Sequence, residues 1–151
     1  MGGRVLPRAL IGLVGLALAA CAGAPVARVD AGGAAANHAL KMVGKPYHFG
    51  GSTPSRGFDC SGLVQYSFRQ AGVALPRDTE QQRRASASIR VANLRRGDLL
   101  FFDQEGKKNS HVGIYLGNGK FVHAPSSGGQ VRTDRLDSAY WKKHLSEARR
   151  V

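Results

Sequence analysis

The chain has 151 residues and carries 22 lysines and arginines against 10 acidic residues, a formal charge of +12. That length suits one domain with a modest core and excludes an assembly of several large domains. The charge signals attraction to anions without naming the partner, and nucleic acid would come first only for a cytosolic chain.

The first segment decides the compartment. Residues 1–20, "MGGRVLPRALIGLVGLALAA", set Arg4 and Arg8 before an apolar run, with small residues just ahead of Cys21. That is the layout of a secretory signal peptide. The apolar run from Ala9 to Ala20 has 12 residues, short of the ~20 that a membrane-spanning helix needs, which argues against a bare anchor helix. "LAAC", Leu18 to Cys21, resembles the lipobox of bacterial lipoproteins and implies an acylated Cys21 as the mature first residue. Ala22 follows, and not the aspartate that resembles an inner-membrane retention signal. The expectation is a lipid-anchored protein of the cell envelope, on the outer membrane and facing the periplasm. Without residues 1–20 the balance is 20 basic against 10 acidic residues, or +10. In that compartment the charge meets anionic wall polymers and not nucleic acid.

Residues 21–32 read as the lipidated cysteine and a flexible tether, and 33–151 as the domain. The tether residues 22–32 reach at most about 36–40 Å when extended, so the domain works close to its membrane. "AAANHALKMVG" (34–44) predicts a helix stopped by Gly44, with Pro46 beyond it. "YHFGGSTPSRG" (47–57) is a loop by its glycine, serine and proline content. From Cys60, the residues Leu63, Val64, Ser67, Phe68 and Ala71 share one helical face, and Gly72 supplies a stop. "DTEQQRRASA" (78–87) predicts a second, polar helix with an N-cap.

The character then changes to strands. "DLLFF" (98–102), "HVGIYL" (111–116), "KFVHA" (120–124) and "QVRT" (130–133) are separated by turn residues, and Asn118–Gly119 is a hairpin signal. "SAYWKKHL" fits either a short helix or a last strand. Helices followed by strands predict an α+β domain, with the helices packed on an antiparallel sheet of about five strands.

Cysteine arithmetic singles out one residue. With Cys21 acylated, Cys60 is left without a disulfide partner in an oxidising compartment, which flags a reactive thiol. In the first turn of its helix, free N–H groups and the helix dipole favour a thiolate. The dipole supplies only ~0.3–1 kcal/mol, and Asp59 opposes it, so a nucleophile needs a protonated imidazole beside the sulfur. His111 and His123 are the candidates. A two-residue hairpin loop would put them on opposite faces of the sheet. A three-residue loop, Gly117–Asn118–Gly119, would pair Leu116 with Lys120 and Gly113 with His123, and set both histidines on one face. The three-residue loop is therefore the expectation, with Gly113 leaving space between the rings and Val112, Ile114 and Leu116 turned to the core.

"FDCSGLVQYSF", "GDLLFF", "SHVGIYLGNGKFVHAP" and "YHFGGSTP" together resemble the NlpC family of bacterial cell-wall cysteine peptidases, over about residues 34–150. The resemblance implies a reduced papain-like fold. It implies Cys60 as nucleophile, His111 as general base and His123 as the residue that orients the base. Tyr47 matches a tyrosine thought to help the oxyanion site, although the loop from Tyr47 to Cys60 is slightly long for the family. Asp59 and Ser61 are less certain substrate contacts, with helix capping as the plainer reading. The implied activity is peptidoglycan endopeptidase, cutting stem or cross-link peptides through a Cys60 thioester. The alternatives are a non-catalytic peptidoglycan-binding lipoprotein and an acyl or amide transferase on the same residues. Zinc held by Cys60, His111 and His123 is disfavoured because clustered ligand spacing is missing, so no metal or cofactor is expected. The oligomeric expectation is a monomer. Asp98 and Asp103 read as turn residues, and His38, His48 and His144 have no ligand-like spacing.

Overall fold

The computed structural model describes residues 1–3 and 30–151 of the chain. Most of the expected signal peptide, Cys21 and most of the expected tether lie outside the described residues. Among the described residues no helix is long and apolar enough to cross a membrane.

Helix α1 (Ala31–Leu40) begins three residues ahead of the expected start at Ala34, because the Asp30 carboxylate accepts from the Gly33 amide and caps it. Ala31 and Gly32, read from the sequence as the end of the tether, are therefore helical. The helix also ends earlier than expected, with residues 41–44 forming turns up to Gly44, whose φ is +89°. Helix α2 (Cys60–Gln70) has Asp59 as its N-cap and buries Leu63, Val64, Ser67 and Phe68 as the apolar spacing predicted. Helix α3 (Thr79–Arg84) is capped by Asp78.

A small hairpin, β1 (Ser52–Thr53) and β2 (Gly57–Phe58), sits in the loop before α2. The main sheet has six strands where about five were expected. They are β3 (Ala87–Ile89), β4 (Leu99–Gln104), β5 (Lys107–Gly117), β6 (Lys120–His123), β7 (Arg132–Arg135) and β8 (Leu145–Arg150), in the order β3-β8-β4-β5-β6-β7. All neighbouring strands run antiparallel. The ambiguous C-terminal segment contains both predicted forms, since helix α4 (Ala139–His144) leads directly into β8. Strand β3 escaped the sequence reading because "ASI" is too short to show a period and pairs only with the chain's last residues.

Alternation along the strands divides the apolar residues between two clusters. Leu99, Phe101, Val112, Ile114 and Val122 pack with α1 and α2 through Ala35, Ala36, Ala39, Leu63, Val64 and Phe68. Leu100, Phe102 and Phe121 form the other cluster with Trp141 of α4. Each fully buried phenylalanine favours the folded state by roughly 1.5–3 kcal/mol relative to exposure. The second cluster is the wall on which the histidines lie.

The β5–β6 hairpin corrects the expected loop. Gly117 pairs with Lys120, so the loop has two residues, Asn118 and Gly119, with φ of +53° and +72°. Positive φ at both positions is the turn that follows the twist of its strands. The register then shifts by one residue at Leu116, and Tyr115 faces Phe121 while Ile114 faces Val122. This irregularity does what a longer loop would have done: it brings Gly113 into line with His123 and both histidines onto one face.

Candidate functional site

Cys60 is the first residue of α2, and its position follows from tight packing of the turn around it. Gly62 approaches the loop so closely that a Cβ there would stand 1.9 Å from the Gly51 carbonyl oxygen. No side chain fits, and this is the physical content of the glycine in "DCSG". Asp59 caps the helix through a 2.8 Å bond from the Gly62 amide, and its other oxygen accepts from the Gly50 amide and from Arg77 Nη2. Arg77 also donates to Ser61 Oγ at 2.8 Å and to the Gly51 carbonyl. From α3, buried Gln82 donates to the carbonyl oxygens of Ser61 and Pro76. The helix start is thus clamped from three directions, and Asp59 and Ser61 do the clamping.

Cys60 is half-buried, and the hydrogen-bond contact of its sulfur is with Thr79 Oγ1 at 3.8 Å. Burial pushes the thiol's pKa up, and Asp59 adds to that. The Thr79 hydroxyl and the backbone N–H groups of Val112 and Ser61 oppose it but do not reverse it.

His111 and His123 stand on neighbouring strands with His111 Nε2 2.8 Å from His123 Nδ1. His123 Nε2 lies 2.7 Å from Asp134 Oδ2, and the same oxygen accepts from Arg132 Nε at 2.9 Å. A fixed order of protons follows. The carboxylate can only accept, so His123 carries its proton on Nε2 and presents a lone pair at Nδ1. His111 must then donate from Nε2, which leaves His111 Nδ1 as its unprotonated nitrogen. Asp134 stays ionised: burial raises its pKa, but the hydrogen bonds and charges of His123 and Arg132 outweigh that and lower it.

Aromatic rings exclude water from the two imidazoles. The Trp141 ring centroid is 4.8 Å from that of His123 and 5.7 Å from that of His111, and Phe102 and Phe121 complete the wall. His111 is 4% exposed and His123 fully buried. Burial disfavours the imidazolium, so the pKa of His111 is lowered to about 3, with help from the charges of His123 and Arg132. That of His123 is lowered to about 4 by burial, against the pull of Asp134. Both rings are neutral at pH 7. The protonated imidazole expected beside the thiol is therefore replaced by a neutral base in the same cleft as a neutral thiol.

Gly113 also differs from expectation. A Cβ there would meet Phe121 Cδ2 at 2.9 Å, Val122 O at 3.1 Å and His123 Cβ at 3.3 Å. The absent side chain is filled by its neighbours and leaves no open space.

A cleft of about 200 Å³ is lined by Tyr47, Cys60, His111, Gln104, Ser110 and Ala124, among others. Tyr47 is half-buried and bridges to Phe58, and its pKa is raised by burial and by the nearby Cys60 and Asp59. The structure thus brings Tyr47, Cys60 and His111 to one cleft with His123 directly behind. Asp59 and Ser61 sit beside Cys60 with their polar atoms bonded within the chain. Asp98 and Asp103 behave as turn residues, Asp98 holding the Arg95 amide and the Arg150 guanidinium and Asp103 the Asn109 amide. Among the described residues no three His, Cys, Asp or Glu side chains form a group that could hold a metal.

Sequence reasoning missed Asp134, Arg132, Thr79 and Trp141. The expected strand stopped at Thr133. One more residue would have shown Arg132 and Asp134 on one face by the two-residue period, opposite His123 and Phe121.

A thiol at a helix start, sharing a cleft with the end of a line of imidazoles from an antiparallel sheet, is the arrangement of a papain-like hydrolase. Residues 44–150 match the NlpC/P60 family, and the chain belongs to that family. It is 41% identical over 121 residues to the murein DD-endopeptidase MepH of Escherichia coli (strain K12), across 78% of this chain and 45% of that protein. It is 47% identical over 115 residues to the bifunctional muramidase/DL-endopeptidase CwlT of Bacillus subtilis (strain 168), across 75% of this chain and 34% of that protein. The crystal structure of an NLP/P60-family protein from Staphylococcus aureus subsp. aureus Mu50, described as similar to lipoprotein, superposes with a TM-score of 0.72 at 40% identity, over 80% of this chain and 41% of that one. The chain thus spans less than half the length of these relatives.

Proposed function

We propose that the protein is a cysteine endopeptidase of peptidoglycan, with Cys60 as nucleophile, His111 as general base and His123 as the residue that orients it. The observation that carries this reading is the Asp134–His123–His111 line, which leaves His111 Nδ1 unprotonated in a cleft that also holds Cys60. Relatives named as DD- and DL-endopeptidases support peptidoglycan peptides as the substrate class.

In the resting site the thiol is held by Thr79, and no hydrogen bond joins it to His111 among the described residues. Substrate binding exchanges Thr79 for His111 Nδ1, which takes the proton as the sulfur attacks the peptide carbonyl. Amides at the start of α2 and the Tyr47 hydroxyl receive the oxyanion; one such donor is typically worth ~2.7–4 kcal/mol of barrier. The imidazolium formed on His111 is stabilised through His123 by the Asp134 carboxylate. It protonates the leaving amine, and water then releases the acyl group from the thioester. Asp59 and Ser61 act as supports of the helix start, since their polar atoms are taken by Gly50, Gly62 and Arg77.

The enzyme works from an acyl anchor on Cys21, in the outer membrane facing the periplasm. The likeness to an NLP/P60 protein described as similar to lipoprotein supports the anchor. Incorporation of labelled palmitate, lost in Cys21→Ala, checks it.

The decisive experiment digests purified peptidoglycan with residues 30–151 and identifies released fragments by mass spectrometry. Cys60→Ser abolishes release. His111→Ala lowers it by roughly 10²–10⁴-fold, the usual worth of a general base. Release undiminished in Cys60→Ser removes the nucleophile assignment, and no release by any form leaves the binding-protein reading.

A further inference from the structure

Next to the catalytic cleft lies a second hollow of about 270 Å³, lined by Gln104, Ser127, Arg132, Tyr140 and Trp141. The two hollows meet at Gln104, which lines both, and at the adjacent residues Ser126 and Ser127. Arg132 uses only Nε on Asp134. Neither Nη1 nor Nη2 makes a hydrogen bond within the described residues, although the side chain is 38% exposed and lines the hollow. Its Nη1 packs beside Gly128, where a Cβ would meet it at 2.3 Å, and the guanidinium edge lines the hollow next to the cleft. The Tyr140 hydroxyl, which accepts from Gln104 Nε2 at 3.2 Å, retains its own proton to donate. Ser127 supplies another hydroxyl, and the Trp141 ring forms an apolar wall.

We propose that Arg132, with Tyr140 and Ser127, forms a subsite for a carboxylate of the substrate peptide, one step along the groove from the cleft that holds Cys60. The inference rests on the peptidase reading and deepens it. The planar guanidinium pairs its two Nη groups with both oxygens of a carboxylate, a geometry that a neutral amide cannot match. The fixed Nε–Asp134 bond aims the fork in advance, so little side-chain freedom is lost on binding. The same guanidinium therefore ties substrate recognition to the carboxylate behind His123.

The test uses soluble muropeptides, released from purified peptidoglycan by a muramidase, beside the same muropeptides with their carboxylates converted to amides by carbodiimide and ammonium. The native chain favours the carboxylate form by on the order of ten- to a hundredfold, carried by KM, as a charge-assisted pair implies. Arg132→Ala erases that preference, Arg132→Lys retains part of it, and Tyr140→Phe reduces it a few-fold. If Arg132 acts only through Asp134, Arg132→Ala lowers kcat equally on both forms and keeps the preference, which overturns the subsite. No preference in the native chain overturns it as well. Binding of both muropeptide forms to Cys60→Ala, read by calorimetry, separates this from the reaction. A carboxylate preference in binding that depends on Arg132, without cleavage by the native chain, upholds the subsite and removes the peptidase reading.

Discussion

Burial sets the chemistry of individual residues in this site. An imidazole in water titrates near ~6.5, whereas His111 and His123 are lowered to about 3 and about 4 because the Trp141–Phe102–Phe121 wall excludes water. A general base works only unprotonated, so a lowered pKa extends activity toward acid. The acid limb of kcat/KM should fall near pH 3–4 and not near 6.5, measured on soluble muropeptides with folding monitored by circular dichroism. An acid limb at 6.5 would contradict the neutral pair. In the proposed mechanism Asp134 acts one bond further back, as a positioning residue. Asp134→Leu leaves His123 free to take either tautomer and should cost on the order of ten- to a hundredfold in kcat, with KM unchanged. Nitrogen NMR of the rings provides a readout that a merely structural role would not move: in the native chain both histidines are protonated at Nε2, and in Asp134→Leu that single pattern is lost.

Among the elements, two glycines decide whether the helix and the hairpin can be assembled at all. Gly62 lets the first turn of α2 press against Gly51, and a methyl group there would overlap a backbone oxygen. Backbone cannot swing aside as a side-chain tip can. Gly113 lies under Phe121 and beside His123. Gly113→Ala should cost ~1–3 kcal/mol of stability, the usual range for overpacking, and should lower activity by moving His123. Gly62→Ala should cost more. Thermal denaturation orders the two, and an unchanged melting temperature in Gly62→Ala would show that the loop yields. The hairpin teaches a related lesson. "NG" correctly marked the turn, but the register shift lies outside it, between Tyr115 and Gly117. The expected three-residue loop is replaced by a two-residue loop followed by a one-residue register shift between Tyr115 and Gly117.

On the scale of the whole molecule, the buried imidazoles link folding to pH. Between pH ~6.5 and about 4 the unfolded chain binds protons at His111 and His123 that the native chain excludes. Stability contributed by these residues is therefore complete above ~6.5 and declines as pH falls through that window. Asp134, lowered below its ordinary value, loses its contribution only at still lower pH. The melting temperature should drop from pH 7 to pH 5, and the drop should be shallower in His111→Leu. Equal melting temperatures at the two pH values would show that the rings are solvated.

Read alone, the sequence determined what depends on near neighbours along the chain. It marked the caps at Asp59 and Asp78, the apolar face of α2, the strands β4, β5 and β6, and the family motifs around Cys60, His111 and His123. These follow from helix and strand periods and from local hydrogen bonds. Tertiary structure decided what depends on elements distant in sequence meeting one another. It added β3 by pairing it with the last strand, placed Asp134 behind His123, and brought Trp141 over both rings. It also held the histidines neutral, because a pKa answers to the water and charge in three dimensions around a group and not to the residues beside it in the chain.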